Sequence, residues 1–274
     1  MKTRIITGLV IAAIVIGLIE WAPFSVLTAV VLLISALTYL EYDRLFFPVK
    51  SITRQAAMIS LTFLVVSSIR EDLTWGLLAS LLGFILISVA AVFKAPTDVN
   101  LETSVKKLAL LFFGLIYISC LTGFLLPILE SADEGRRLVL LLFFIVFWGD
   151  TAAYFAGSKF GKTKLAPLIS PKKSVEGAIA SVTMSLVISL IWVFCFQPEG
   201  FSNPFSFKLL LFTPVLSVLA QLGDLFESLL KRSVAVKDSG SVLPGHGGFL
   251  DRIDGLCFST PVFYVFLKFY WENT

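Results

Sequence analysis

The sequence predicts an all-α polytopic integral membrane protein of about nine transmembrane helices, with a polar cavity near one membrane face. Three observations carry this. The mean hydropathy is +0.91, and only 15% of the 274 residues are charged, well below the quarter usual in a water-soluble globule. The apolar residues fall into runs of the ~20 residues a helix needs to cross the hydrocarbon. A helix also satisfies its own backbone groups in lipid, as an open strand cannot.

In chain order the expected spans are 5–19, 24–40, 55–69, 75–93, 108–129, 138–157, 175–196, 208–230 and 252–270. The first follows the basic residues Lys2 and Arg4, as a signal peptide would. No small-residue cleavage pattern succeeds it, so it is read as a retained helix. The third has a short apolar core, 56–68; as an interfacial or re-entrant segment it would reduce the count to eight. Cys120, Cys195 and Cys257 lie far apart, without metal or redox spacing, and read as structural thiols. No internal repeat or sizeable soluble region is visible. Residues 1–135 are expected to form a five-helix scaffold, and 136–274 a catalytic region.

Positive charge suggests the orientation. With nine spans, 17 of the 22 lysines and arginines lie on the side of the N-terminus, which is then expected to be cytoplasmic. Nine of these charges lie in the two loops that carry candidate chemistry. Without them the bias is 8 against 5 and keeps its sign.

Charged groups inside a span are costly and normally face a polar interior. Asp150 lies in the sixth span. Asp224 lies in the eighth, with Glu227 and Ser228 on the same helical face. A structural role in helix capping or bridging is the alternative for either one alone. The loop after the sixth span carries five lysines, and Ser170-Pro-Lys-Lys-Ser174 reads there as a stiff turn. Ser174 to Gly177 opens the next helix, placing Lys172 and Lys173 beside a helix N-terminus suited to phosphate. Anchoring to acidic lipid is the other reading of these lysines.

Between the last two spans, KDSGSVLPGHGGFLDRID runs from Lys237 to Asp254. Its glycines permit close backbone approach, and Asp251 and Asp254 share one helical face. Asp224 and Asp251 stand at the two ends of this connection, so their carboxylates can meet. Oxygen donors with a single histidine suit Mg²⁺ rather than zinc. Carboxylates holding a cation among lysines and arginines suit phosphoryl or nucleotidyl transfer.

Two stretches resemble one family along their length. The first is Asp150-x3-Tyr154-x2-Gly157-x2-Phe160-Gly161-Lys162, leading to Ser170-Pro171-Lys172-Lys173-Ser174-x-Glu176-Gly177. The second runs from Ser228-x2-Lys231-Arg232 through Lys237-Asp238-x-Gly240 and Leu243-Pro244-Gly245-His246-Gly247-Gly248-Phe249 to Asp251-Arg252-Ile253-Asp254. Both are similar to the signature of the phosphatidate cytidylyltransferases, or CDP-diacylglycerol synthases. The resemblance is firm over 148–260; the first five spans match only in being apolar.

The resemblance implies a Mg²⁺-dependent reaction of CTP with phosphatidic acid at a bilayer, giving CDP-diacylglycerol and pyrophosphate. It would place Mg²⁺ on Asp224 and Asp251, supported by Asp254 and Asp150, with a second cation such as K⁺ in the same cluster. Lys172, Lys173, Lys231, Arg232, Lys237 and Arg252 would neutralise the triphosphate and the lipid phosphate. Ser170, Ser174, Gly245 and Gly247 would line the substrates, and His246 would orient a phosphate or stabilise its loop. Asp238 would pair with a nearby base. A homodimer in the bacterial inner membrane is implied, with the N-terminal helices, which the motifs do not use, as its expected surface; nucleic acid is not an expected partner. The rival readings are a cation-coupled transporter using Asp150 and Asp224, a transferase with another lipid acceptor, and a protein that only binds acidic lipid.

Overall fold

A computed structural model describes residues 2–94, 101–131, 134–197, 200, 203–240 and 247–271. Ten helices follow one another: α1 Lys2–Trp21, α2 Phe24–Phe46, α3 Ile52–Glu71, α4 Leu73–Lys94, α5 Leu101–Gly123, α6 Leu125–Glu130, α7 Gly135–Phe160, α8 Val175–Phe196, α9 Pro204–Ser233 and α10 Leu250–Trp271. Among the described residues seven spans are long and apolar enough to cross a membrane, α5 and α6 counting as one of them. α1 contributes the shorter apolar stretch Ala12–Trp21. α10 has the length but begins with Asp251, Arg252 and Asp254.

Each expected span coincides with a helix, and three features differ in detail. The third span is not short: α3 is one unbroken helix of 20 residues, started by Ser51, whose side chain accepts from Arg54 N. The fifth is interrupted between α5 and α6. Pro127 has no N–H to offer the carbonyl four residues back, at Gly123, and its ring crowds that carbonyl. Third, the all-helical bundle carries a small antiparallel hairpin, β1 Lys164–Ala166 paired with β2 Ser170–Ser174. The stretch read as a stiff turn is therefore a strand; the reversal falls at 167–169.

Small and hydroxylic residues bring the helices together. In lipid, association depends on close packing and interhelical hydrogen bonds rather than on expulsion of water. Ser35 on α2 donates to Thr122 on α5 at 2.8 Å, and Ser189 on α8 meets Thr213 on α9 at 2.7 Å. A Cβ on Gly149 of α7 would lie 2.8 Å from the Ser181 hydroxyl of α8. One on Gly177 of α8 would lie 2.7 Å from the Ala153 carbonyl of α7. At one end of the bundle Arg70 grips Glu130 through two bonds, and Arg136 donates to the carbonyls of Ile19, Glu20 and Ala22. The opposite end gathers the C-terminal part of α2, the hairpin, the C-terminus of α9 and the N-terminus of α10.

Candidate active site

The hairpin is held against α8 from both sides. Ser174 accepts from Gly177 N at 3.2 Å, capping α8, and Glu176 accepts from Thr163 N at the hairpin's base. Replacing the cap by alanine is worth ~1 kcal/mol of stability by analogy with other caps. β2 then carries Lys173 to α9, where its Nζ lies 2.6 Å from Asp224 Oδ2. Lys172, next along the strand, is exposed, while Ser170 is half-buried.

Three carboxylates come from α7, α9 and α10 to one region of the bundle. Asp150, Asp224 and Asp254 lie within electrostatic range of one another, with Lys173 and Arg252 beside Asp150 and Glu227 near Asp254. Glycine makes this approach feasible. A Cβ on Gly223 would collide with the Asp254 carbonyl, and one on Gly255 would lie 2.8 Å from Val146 on α7. Gly223→Val is therefore expected to separate α9 from α10 and to lower turnover at least tenfold, with a parallel fall in thermal stability. Wild-type turnover in the purified variant would count against this packing.

Asp251 sits in a second, adjoining group. Its Oδ1 accepts from Lys231 Nζ at 2.6 Å; its Oδ2 accepts from Ser239 N, Ser239 Oγ and Gly248 N at 2.9, 3.0 and 2.8 Å. Lys231 also pairs with Glu227, which is fully buried one turn earlier on α9. Gly247 adopts φ +79°, a conformation that favours glycine. Arg232 reaches back to the Ile169 carbonyl in the hairpin turn at 3.4 Å, while Lys237, Asp238 and Arg252 are exposed. The expected partner of Asp238 is not seen among the described residues. Gly245 and His246 lie outside the described residues.

Sequence reasoning missed two acids in this half of the bundle. Glu227 was noted only as a neighbour of Asp224, although its pairing with Lys231 follows from their i, i+4 spacing. Glu41, on α2, is 1% exposed and accepts from Ser239 Oγ, Phe249 N and Leu250 N. Its only sequence signal is an acid within an apolar run.

The donor set suits a hard cation, since buried carboxylates of like charge are stable together only when a positive charge offsets them. Among the described residues no three His, Cys, Asp or Glu side chains are gathered to hold an ion as they stand. Lysine ammonium groups instead meet the two carboxylates expected to bind metal, Lys173 at Asp224 and Lys231 at Asp251.

A bundle of membrane-length helices carries carboxylates, lysines and a helix-capping hairpin at one end, an arrangement suited to phosphorylated substrates. The cytidylyltransferase family matches residues 2–270. A phosphatidate cytidylyltransferase of Thermotoga maritima is 34% identical over 275 residues, covering 98% of this chain and 96% of that protein. Enzymes of the same name from Staphylococcus saprophyticus and Rickettsia prowazekii are 43% identical over 138 residues and 40% over 159 residues. These matches cover 50% and 56% of this chain, and 52% and 68% of those proteins. The chain belongs to the cytidylyltransferase family and is a nucleotidyltransferase of the membrane. The similarity reaches through α1 to α5, beyond the 148–260 over which the motifs alone were recognisable.

Proposed function

We propose that the protein is a phosphatidate cytidylyltransferase, joining CTP and phosphatidic acid into CDP-diacylglycerol with release of pyrophosphate. The observation that carries this reading is the pairing of Lys173 of the hairpin with Asp224, with Asp150 and Asp254 within electrostatic range, at the end of the bundle that also holds the described parts of the second motif. A lipid phosphate oxygen attacks the α-phosphorus of CTP; the bond from that phosphorus to the pyrophosphate oxygen breaks, and pyrophosphate leaves. The attacking oxygen is already ionised near neutral pH, so no strong general base is required. Lys173 and the exposed Lys172, Lys237, Arg232 and Arg252 neutralise phosphate charge, which the reaction concentrates in one place. The N-terminus of α8, which begins directly after β2, adds the positive end of its helix dipole beside Lys172 and Lys173.

Mg²⁺ is proposed as the resident cation, held by Asp224 and Asp251 with Asp254 and Asp150 in support, and with room in the proposal for a second cation such as K⁺. When bound, it supplies charge neutralisation to the triphosphate. To hold it, Asp224 and Asp251 would have to be released by Lys173 and Lys231. The site is proposed to face the cytoplasm from the inner membrane, where CTP is available, and the protein to work as a homodimer meeting through its N-terminal helices. Incubating the purified protein with CTP, phosphatidic acid and Mg²⁺ should yield pyrophosphate and a cytidine liponucleotide in equal amounts, and chelation should stop both. Absence of liponucleotide under these conditions would reject the assignment.

A further inference from the structure

We infer that Glu41 is a positioning residue for the reaction: a carboxylate supplied by the second helix that shapes the loop between α9 and α10 and orients Asp251. The inference rests on the function proposed above and concerns a residue outside both recognised motifs.

An acid buried to 1% exposure in an apolar helix is costly unless it is fully bonded. Glu41 spends its bonds on the loop. Its Oε1 accepts from Phe249 N at 2.9 Å and its Oε2 from Leu250 N at 3.0 Å, so it satisfies donors at the start of α10. Oε2 also accepts from Ser239 Oγ at 3.1 Å, and that hydroxyl lies 3.0 Å from Asp251 Oδ2. The one Ser239 hydroxyl proton is thus shared between Glu41 and Asp251, which ties α2 to the acid at the head of α10.

Loop glycines support the same arrangement. A Cβ on Gly240 would lie 2.7 Å from Glu41 Oε1, and one on Gly248 would collide with Glu41 Oε2 and Ser239 Oγ. Two glycines of the second motif are therefore needed to let the backbone wrap a carboxylate from the other half of the chain. Asp43, two residues on and equally buried, provides a contrast: it pairs with Arg54 and Gln55 and, among the described residues, bonds to none in the loop.

The test uses the full-length protein in detergent or nanodiscs. Glu41→Gln turns an N–H₂ group toward backbone donors on one side. It is expected to lower kcat at least tenfold, with KM for CTP and phosphatidic acid changed less than threefold, and to speed amide hydrogen exchange at Gly248, Phe249 and Leu250. Asp43→Asn should lower thermal stability while leaving that exchange and kcat near wild type. Should Glu41→Gln fail to fold, Ser239→Ala cuts the link while sparing the rest, and should lower kcat about threefold with faster exchange at Gly248. Unchanged exchange and kcat in the folded variant, or matching losses in Glu41→Gln and Asp43→Asn, would overturn the inference. The exchange readout needs no substrate, so an inactive wild type would reject the proposed function without touching it.

Discussion

Asp224→Asn is expected to reduce CTP-dependent liponucleotide formation by at least a hundredfold, while the protein still inserts and purifies as a folded species. The size follows from what the carboxylate does. It is the acid on α9 that meets Lys173 from the hairpin, and it lies within electrostatic range of Asp150 and Asp254. The amide keeps the shape and removes the charge, so the cluster loses its anionic pull on a cation and on Lys173 together. Removing one preorganised electrostatic group from an active site commonly costs ~10²–10³ in rate. Folding should be affected little, because Asp224 is half-buried and Asn relieves repulsion among the three acids. Radiolabelled CTP incorporation, read alongside thermal unfolding, checks both halves of the expectation. Activity within tenfold of wild type would remove Asp224 from the catalytic set.

Lys231→Met should act mainly on stability. Its ammonium is the shared partner of Glu227, which is fully buried, and of Asp251, whose side chain is 7% exposed. Methionine matches the stem and removes the charge, leaving two carboxylates facing each other in a low-dielectric setting. Breaking one side of a buried ion pair costs about 3–5 kcal/mol in soluble proteins. A thermal midpoint lower by several degrees is the expected readout, with turnover reduced as well. Lys231→Met combined with Glu227→Gln should recover much of the stability, since the second change removes one of the stranded charges. If the double variant is no more stable than the single one, Lys231 is not the keystone of this group.

Much of this was legible in the chain because lipid imposes a simple rule: every apolar run of sufficient length becomes a helix. The spans and the opening of α8 at Ser174 followed from hydropathy and helix-start spacing; the pairing expected of Asp224 was with Asp251, which instead accepts from Lys231, Ser239 and Gly248. The strand at Ser170–Ser174 was less visible, because a hairpin as short as β1–β2 has no hydrophobic alternation to read and is fixed instead by Glu176 and Thr163. The interruption before α6 needed Pro127 to be weighed against a run that otherwise looks continuous. Glu41 was beyond reach for a different reason: its partners are about 200 residues away, and no local pattern records a bond between α2 and the loop before α10.

That long-range bond has a consequence for how the chain can be rearranged. The stretch beginning at α7 carries both recognisable motifs and looks like a transplantable cassette, yet the head of its last helix is seated on a side chain from near the start of the protein. Grafting 136–274 onto a foreign set of membrane helices would leave the N–H groups of Phe249 and Leu250 and the hydroxyl of Ser239 without their acceptor. A split version should work only when both fragments are co-expressed and the first contains α2.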